Sequence, residues 1–214
     1  MRSFTVIVLI AGLVCSCRKE PPPSFERYSD LFELQEVEIP ADWGYARKQY
    51  DVVAKNPIPE KTVRETLGGH GWTLTSVYMV DPDKTVTGEI LVTEEGPWRS
   101  NENTMPEYFT LPSPSDKSTV FYDPPRKSWN DYDFSYDESN NSICLLGSTW
   151  VKQGRGKLIY LSPDRMVCVR SGYVQLDAKQ YVIRMSIFDR VDDATLASWK
   201  ETCIYHVTEP EFGE

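Results

Sequence analysis

Histidine side chains are the first candidates for chemistry in this sequence, because imidazole transfers protons near neutral pH and binds metals. The chain has two, His70 and His206. A catalytic or metal-binding histidine needs partners that converge on it. Neither has Cys, Asp or Glu at a spacing typical of such sites. The sequence therefore predicts no catalytic residue and no metal site, and it indicates no cofactor.

A row of carboxylates lies between Asp131 and Glu138. Asp131, Asp133 and Asp137 alternate with aromatic residues, and Glu138 follows them. Carboxylate oxygens bind calcium, but the Asp-x-Asp-x-Asp-Gly spacing of an EF-hand loop is absent. Strict alternation is typical of a strand with one polar face in water, so we expect these acids to be solvated.

The aromatic residues opposite those acids are the strongest candidates for a binding surface. Tyr132, Phe134 and Tyr136 share one face of the predicted strand, and Tyr160 and Met185 lie on later strands. These five side chains either line a cavity for a small apolar ligand or fill a dry core. The sequence leaves both interpretations open.

A long connection from Gly96 to Pro114 offers further aromatic residues. Trp98, Tyr108 and Phe109 lie within it. Long connections without their own secondary structure are often functional. Trp98 and its neighbours would either cap the mouth of a cavity or stack on the rings of a glycan.

The first sixteen residues have the features of an export signal. Arg2 precedes a short apolar segment that is too short to span a bilayer, which needs about 20 residues. Val14 and Ser16 before Cys17 resemble the bacterial lipobox, in which a peptidase cuts before the cysteine and its thiol then carries a lipid. The resemblance implies a signal peptide over 1–16, lipidation of Cys17 and an outer-membrane lipoprotein that faces the periplasm or the cell surface. An ordinary secretory signal or an uncleaved anchor is the alternative.

Residues 17–66 have the composition of a tether followed by an N-terminal arm. Three prolines at Pro21–Pro23 favour an extended chain. The apolar residues between Tyr28 and Tyr50 are too many for a solvated linker, so we expect part of this arm to pack on the main domain. Glu60 to Leu67 is predicted to be a short helix that ends at Gly68.

The overall composition limits the classes of partner. The chain of 214 residues has 32 Asp and Glu against 23 Lys and Arg, which gives a net charge of -9. No run of basic residues could follow a phosphate backbone, so we expect no nucleic-acid binding. The length suits one domain and a tether.

Three cysteines remain after the predicted lipidation site. Cys144, Cys168 and Cys203 are an odd number, and an oxidising compartment would allow one disulfide and one free thiol. Three small buried apolar side chains are the favoured interpretation.

Residues 67–208 contain eight or nine predicted strands at short spacing. Turn residues separate them, and no long helical period intervenes, which disfavours a parallel α/β fold. We expect the last hairpin to turn at Asp192 and to end in a strand from Leu196 to Val207. Such a meander removes its free edges by closing into a barrel, and a two-sheet β-sandwich is the alternative. Residues 209–214 would be a C-terminal tail.

The start of this domain carries a family resemblance. Leu67 and the glycines before Trp72 resemble the Gly-x-Trp opening of lipocalins. The whole arrangement is similar to the lipocalin-like domains of small lipoproteins from Bacteroides-type bacteria. The resemblance implies an antiparallel barrel in which Gly71 and Trp72 are structural residues at the closed end. A basic residue of the last strand commonly packs over this Trp in lipocalins, and Lys200 is the expected candidate.

Together these features predict a non-enzymatic lipoprotein, anchored in the membrane by its N-terminal lipid, with a lipocalin-like barrel for a small apolar ligand. A cell-surface β-sandwich that binds glycans or mediates adhesion is the second hypothesis. An enzyme of unknown reaction is the third.

Overall fold

A computed structural model describes residues 24–37, 49–91, 107–147, 152–173 and 181–205. The predicted signal peptide, Cys17, Trp98 and His206 lie outside these ranges. Within the described residues, no helix is both long enough and apolar enough to cross a membrane.

The described chain is mostly antiparallel sheet with three short α-helices and a 3-10 turn at Pro124–Arg126. The helices are α1 (Glu26–Ser29), α2 (Glu60–Leu67) and α3 (Asp193–Thr202). A hairpin precedes α2, formed by β1 (Phe32–Val37) and β2 (Gln49–Ala54). The other strands, in chain order, are β3 (Gly71–Val80), β4 (Val86–Leu91), β5 (Tyr108–Thr110), β6 (Ser118–Asp123), β7 (Ser128–Asp137), β8 (Ser142–Gly147), β9 (Lys152–Leu161), β10 (Arg165–Tyr173), β11 (Tyr181–Arg190) and β12 (Ile204–Tyr205).

Eight strands close into a barrel. The order runs β3, β5, β6, β7, β8, β9, β10 and β11, and β11 then pairs with β3 from Ile183 to Arg190. Each of these eight strands has a paired neighbour on both sides, whereas β4 pairs with β3 alone among the described strands. Closure of this kind removes most free edges, which is the physical advantage that predicted it. The expected antiparallel barrel is confirmed, and the two-sheet sandwich is not formed.

The second strand of the barrel is split into two parts. β4 pairs with β3 over Ser76–Val80, and β5 pairs with it over Gly71–Thr73. Both lie on the edge of β3 that faces away from β11, and they run in the same direction. Part of the predicted long connection is therefore a strand: Tyr108 and Phe109 belong to the barrel wall and not to a free loop.

The fold has two large apolar clusters, one inside the barrel and one on its outer surface. Side chains alternate between the two faces of each strand, so neighbours along a strand belong to different clusters. On β10, Met166 and Cys168 lie in the inner cluster, and Val167 and Val169 lie in the outer one.

The N-terminal arm covers the outer cluster. Phe25, Tyr28 and Phe32 are buried there against β3, β9, β10 and β11. The ring of Tyr28 lies 5.3 Å from that of Tyr160, and the ring of Phe25 lies 6.0 Å from that of Tyr78. Lys84 donates hydrogen bonds to the carbonyl oxygens of two arm residues, at 2.6 and 2.9 Å. The described parts of the arm, residues 25–37 and 49–54, thus belong to the folded body.

The segment after β11 is a helix and not the predicted strand from Leu196 to Val207. Asp192 caps α3 by accepting a hydrogen bond from the Thr195 amide at 2.6 Å. Leu196, Trp199 and Cys203 recur at helical spacing and pack on the outside of the barrel. Among the described residues of this segment, which end at Tyr205, only β12 is extended, and it pairs in parallel with the start of β7.

Candidate functional site

The interior side chains are more completely buried at one end of the barrel than at the other, and this difference locates the candidate site. We call the end with Gly71, Asp137, Arg165 and Arg190 the lower end, and the opposite end the upper end. At the lower end, α2 inserts the fully buried side chains of Val63 and Leu67 into the inner cluster. The lower end is therefore a closed apolar core.

Asn141 fixes the chain that leads into α2. Its side chain accepts hydrogen bonds from the Ile58 amide and the Tyr136 hydroxyl, both at 3.2 Å. It donates to the carbonyl oxygens of Asn56 at 2.7 Å and of Leu158 at 3.0 Å. Asn141 has a φ of 55°, a left-handed conformation that Asn tolerates better than most residues. This network holds the segment before α2 to the β7–β8 turn.

Gly71 and Trp72 both lie in closely packed surroundings at the lower end of the barrel. Trp72 is 0% exposed within the inner cluster. A Cβ atom on Gly71 would lie 2.6 Å from Cγ2 of Val191 and 3.2 Å from Cζ3 of Trp199. Position 71 needs glycine because α3 packs closely on the backbone there.

The basic residue paired with Trp72 is Arg190 and not Lys200. Lys200 lies in the last turn of α3 and is exposed. Arg190 ends β11 and is the cross-strand partner of Trp72. The prediction placed the last strand too late in the chain, which moved the expected position onto the helix.

Three inward-facing side chains in the upper half of the interior are partly exposed, although Val77 on β3 is fully buried. On β6, Val120 and Tyr122 pack outward with α3, so Phe121 between them points inward. Its ring lies 6.5 Å from that of Tyr132, and both side chains are partly exposed, as is Met79 on β3. Burial, and next the charge of Asp131, raise the pKa of Tyr132. An apolar surface that is accessible inside a barrel can bind a small apolar molecule.

The structure separates the predicted binding residues into three places. Phe134 and Tyr136 are buried in the inner cluster near the lower end, and Tyr132 lies higher on the same face. Burial raises the pKa of Tyr136 to about 12. Tyr160 and Met185 lie in the outer cluster beneath the N-terminal arm, so they do not line the interior.

Two arginines that the sequence interpretation missed lie in the upper interior. Arg170 on β10 and Arg184 on β11 are cross-strand partners. Cys168 and Phe188 on the same faces belong to the inner cluster, so both arginines are directed inward. The sequence shows that Arg184 shares a face of β11 with Ser186 and Phe188, but the alternation does not show that this face is inside.

The remaining candidates for chemistry are structural or solvated. Asp131, Asp133 and Asp137 are exposed, as expected for the polar face of β7. Within the described ranges, no group of three or more metal-binding side chains is found. Among the described residues, Cys144, Cys168 and Cys203 are buried and form no disulfide, and burial raises the pKa of the Cys168 thiol.

A second surface lies outside the barrel, between β6, β7 and β12. It is a groove of about 540 Å³ lined by Trp129, Tyr205 and Val120 together with Pro112, Asp116, Lys117, Ser118 and Asp131. The rings of Trp129 and Tyr205 are 4.7 Å apart, and Tyr205 is 50% exposed. Exposed aromatic rings beside carboxylates and an amine are suited to polar ring-shaped ligands.

Comparisons with known proteins find similarity in structure alone. No family model matches the chain, and no curated protein matches it. Bovine odorant binding protein in complex with a selenium-containing odorant is similar at 15% identity and a TM-score of 0.32, over 64% of this chain and 80% of the other. A deswapped triple mutant of bovine odorant binding protein has 16% identity and a TM-score of 0.31, over 64% and 83%. The closed eight-stranded barrel is established by the strand pairing described above.

Proposed function

We propose that this chain is a non-enzymatic outer-membrane lipoprotein whose lipocalin-like barrel binds a small apolar ligand in the upper half of its interior. The observation that carries the proposal is the change in exposure along the interior. Trp72, Leu74 and Phe188 are at most 1% exposed at the lower end, whereas Met79, Phe121 and Tyr132 above them are partly exposed. Apolar surface that stays accessible inside a barrel gains free energy when a ligand covers it.

A neutral fluorescent probe tests this site. We expect N-phenylnaphthylamine to bind the purified protein, and Tyr132→Asp to weaken its affinity about tenfold or more, because a carboxylate would need water where the probe lies. Ser135→Asp adds the same charge to the exposed face of β7 and serves as the matched control. Equal affinity in the two variants would contradict an interior site. Native mass spectrometry of protein purified without detergent from its own host would then identify the resident ligand.

The membrane anchor is supported by the sequence around Cys17. Phe25 is buried and lies eight positions after Cys17, a length of chain that spans at most about 30 Å. A lipid on Cys17 would therefore hold the barrel within about that distance of the bilayer. Metabolic labelling with palmitate tests the anchor. We expect Cys17→Ala to lose the label and the neighbouring Cys15→Ala to keep it. Retained label in Cys17→Ala would refute lipidation at this residue.

Glycan binding is the second candidate function, and the groove beside Trp129 and Tyr205 is the observation that favours it. Sugar rings stack on exposed aromatic side chains, and Asp131 and Lys117 could bond to their hydroxyl groups. A glycan array would detect this activity. We expect any glycan signal to fall with Trp129→Ala and to persist with Tyr132→Asp, which changes the barrel interior instead.

A further inference from the structure

An inward-facing pair of arginines gives the upper interior charged hydrogen-bond donors, which a site for a purely apolar ligand would not require. Arg184 is 9% exposed, and the Nη1 atom of Arg170 is buried with no hydrogen-bond partner. Their backbones are direct neighbours across β10 and β11. Removing a guanidinium group from water is costly unless an acceptor replaces the lost hydration.

Each arginine raises the free-energy cost of burying the other. The pKa of Arg170 is lowered by its burial and then by the positive charge of Arg184. On β3, β7, β10 and β11, the inward-facing positions whose side chains the structure describes hold no Asp or Glu. The acids of β7 point into solvent, and Glu89 on β4 bonds outward to Tyr78. A bound anion would supply acceptors to Arg170 and reduce the repulsion between the two cations.

The opposite wall of the same space is apolar. In the eight-stranded ring, β6 and β7 stand across the barrel from β10 and β11. Phe121 and Tyr132 therefore lie opposite the arginines, and Met79 lies beside Arg184, to which it is paired on β3. One side of the upper interior is thus suited to a charged group, and the other to a hydrocarbon chain.

We propose that the ligand is an amphipathic anion, an acyl chain with an acidic head group, and that Arg170 and Arg184 bind the head group while the chain lies against Phe121 and Tyr132. A guanidinium group presents N–H donors in a planar fork that matches carboxylate and phosphate oxygens. This inference rests on the proposed function, because it assigns the chemical class of the ligand at the same site.

A pair of probes that differ only in head-group charge tests the inference. Dansyl-labelled undecanoic acid and its methyl ester have the same chain and fluorophore. We expect the wild-type protein to bind the acid about tenfold or more tightly than the ester, because charged hydrogen bonds to the arginines are lost in the ester. Arg170→Gln and Arg184→Gln should each reduce this preference while changing the affinity for the ester by less than about twofold.

Arg126→Gln is the matched control, because it removes one arginine charge from the exposed outer surface. Displacement of the acid probe by palmitate or by a lysophosphatidic acid then shows whether carboxylate or phosphate is preferred. Equal binding of acid and ester by the wild-type protein would overturn the inference and leave the proposed function intact, since the ester still occupies the barrel. Binding of neither dansyl probe nor N-phenylnaphthylamine by folded protein would overturn both.

Discussion

The lower and upper halves of the barrel interior are built from the same eight strands, yet one is a core and the other a candidate site. In the lower half, α2 closes the barrel and Trp72 is completely buried. In the upper half, Tyr132 keeps partial exposure and Arg170 has a buried donor without a partner. A closed barrel can therefore concentrate its stability at one end, which frees the other end for binding. The comparison predicts that substitutions in the lower half cost stability and that those in the upper half cost affinity.

Truncation of Trp72 should have the largest effect on stability. Trp72→Ala removes a fully buried ring and leaves a cavity, so we expect the free energy of unfolding to fall by about 3–5 kcal/mol. Tyr132→Ala, in the upper half, should cost only about 1 kcal/mol because the side chain is already partly hydrated. Urea unfolding monitored by circular dichroism measures both. Similar losses in the two variants would mean that the halves are not energetically distinct.

Asn141→Ala should cause the second-largest loss of stability, because it breaks the hydrogen-bond network that holds the segment before α2. The substitution removes four hydrogen bonds and places Ala at a φ of 55°. We expect a loss of about 2–4 kcal/mol in the free energy of unfolding. The adjacent Asn140→Ala is the control, since Asn140 is exposed and its loss should cost about 1 kcal/mol or less. A loss no larger than that of the control would show that the network does not stabilise the lower end.

Gly71→Ala should lower the free energy of unfolding by a smaller amount, through one close contact. The added Cβ would lie 2.6 Å from Cγ2 of Val191, and overpacking of this kind costs about 1–3 kcal/mol. Gly88→Ala on β4 is the matched control, because a Cβ there meets no atom within 4 Å. Combining Gly71→Ala with Val191→Ala should recover part of the loss. The folded variant should keep its affinity for N-phenylnaphthylamine, and a large drop would show that the two ends are coupled.

The sequence was sufficient to predict elements whose signals are local. Gly68 marked the end of α2, and alternation predicted the core of β7 from Tyr132 to Tyr136. The helix α3 was missed although its signals were also local. Asp192 was interpreted as a turn residue and not as an N-cap, and the spacing of Leu196 and Trp199 was not recognised as helical.

The arginine pair was missed for a different physical reason. Along β11 both faces are buried, so alternation distinguishes the two faces without showing which one is inside. Met185 was expected inside the barrel, either lining a cavity or filling a dry core, but it is covered by the N-terminal arm, more than a hundred residues away in the chain. A contact at such a sequence separation cannot be inferred from a local pattern. Arg184, on the other face, was therefore not among the candidate residues.

The smallest predicted effect is a pH dependence at the lower end, where His70 lies just before Trp72. Burial, and next the charge of Arg190, lower the pKa of His70 below its usual 6.5. The unfolded chain then binds a proton more readily than the folded one, so stability is complete above the unfolded pKa and is lost as pH falls through the folded pKa. We expect His70→Asn to reduce the fall in unfolding free energy between roughly pH 7.5 and pH 5.5, because the variant lacks this titration. An unchanged slope would show that the imidazole is as hydrated in the folded protein as in the unfolded chain, and that the closed lower end stops short of His70.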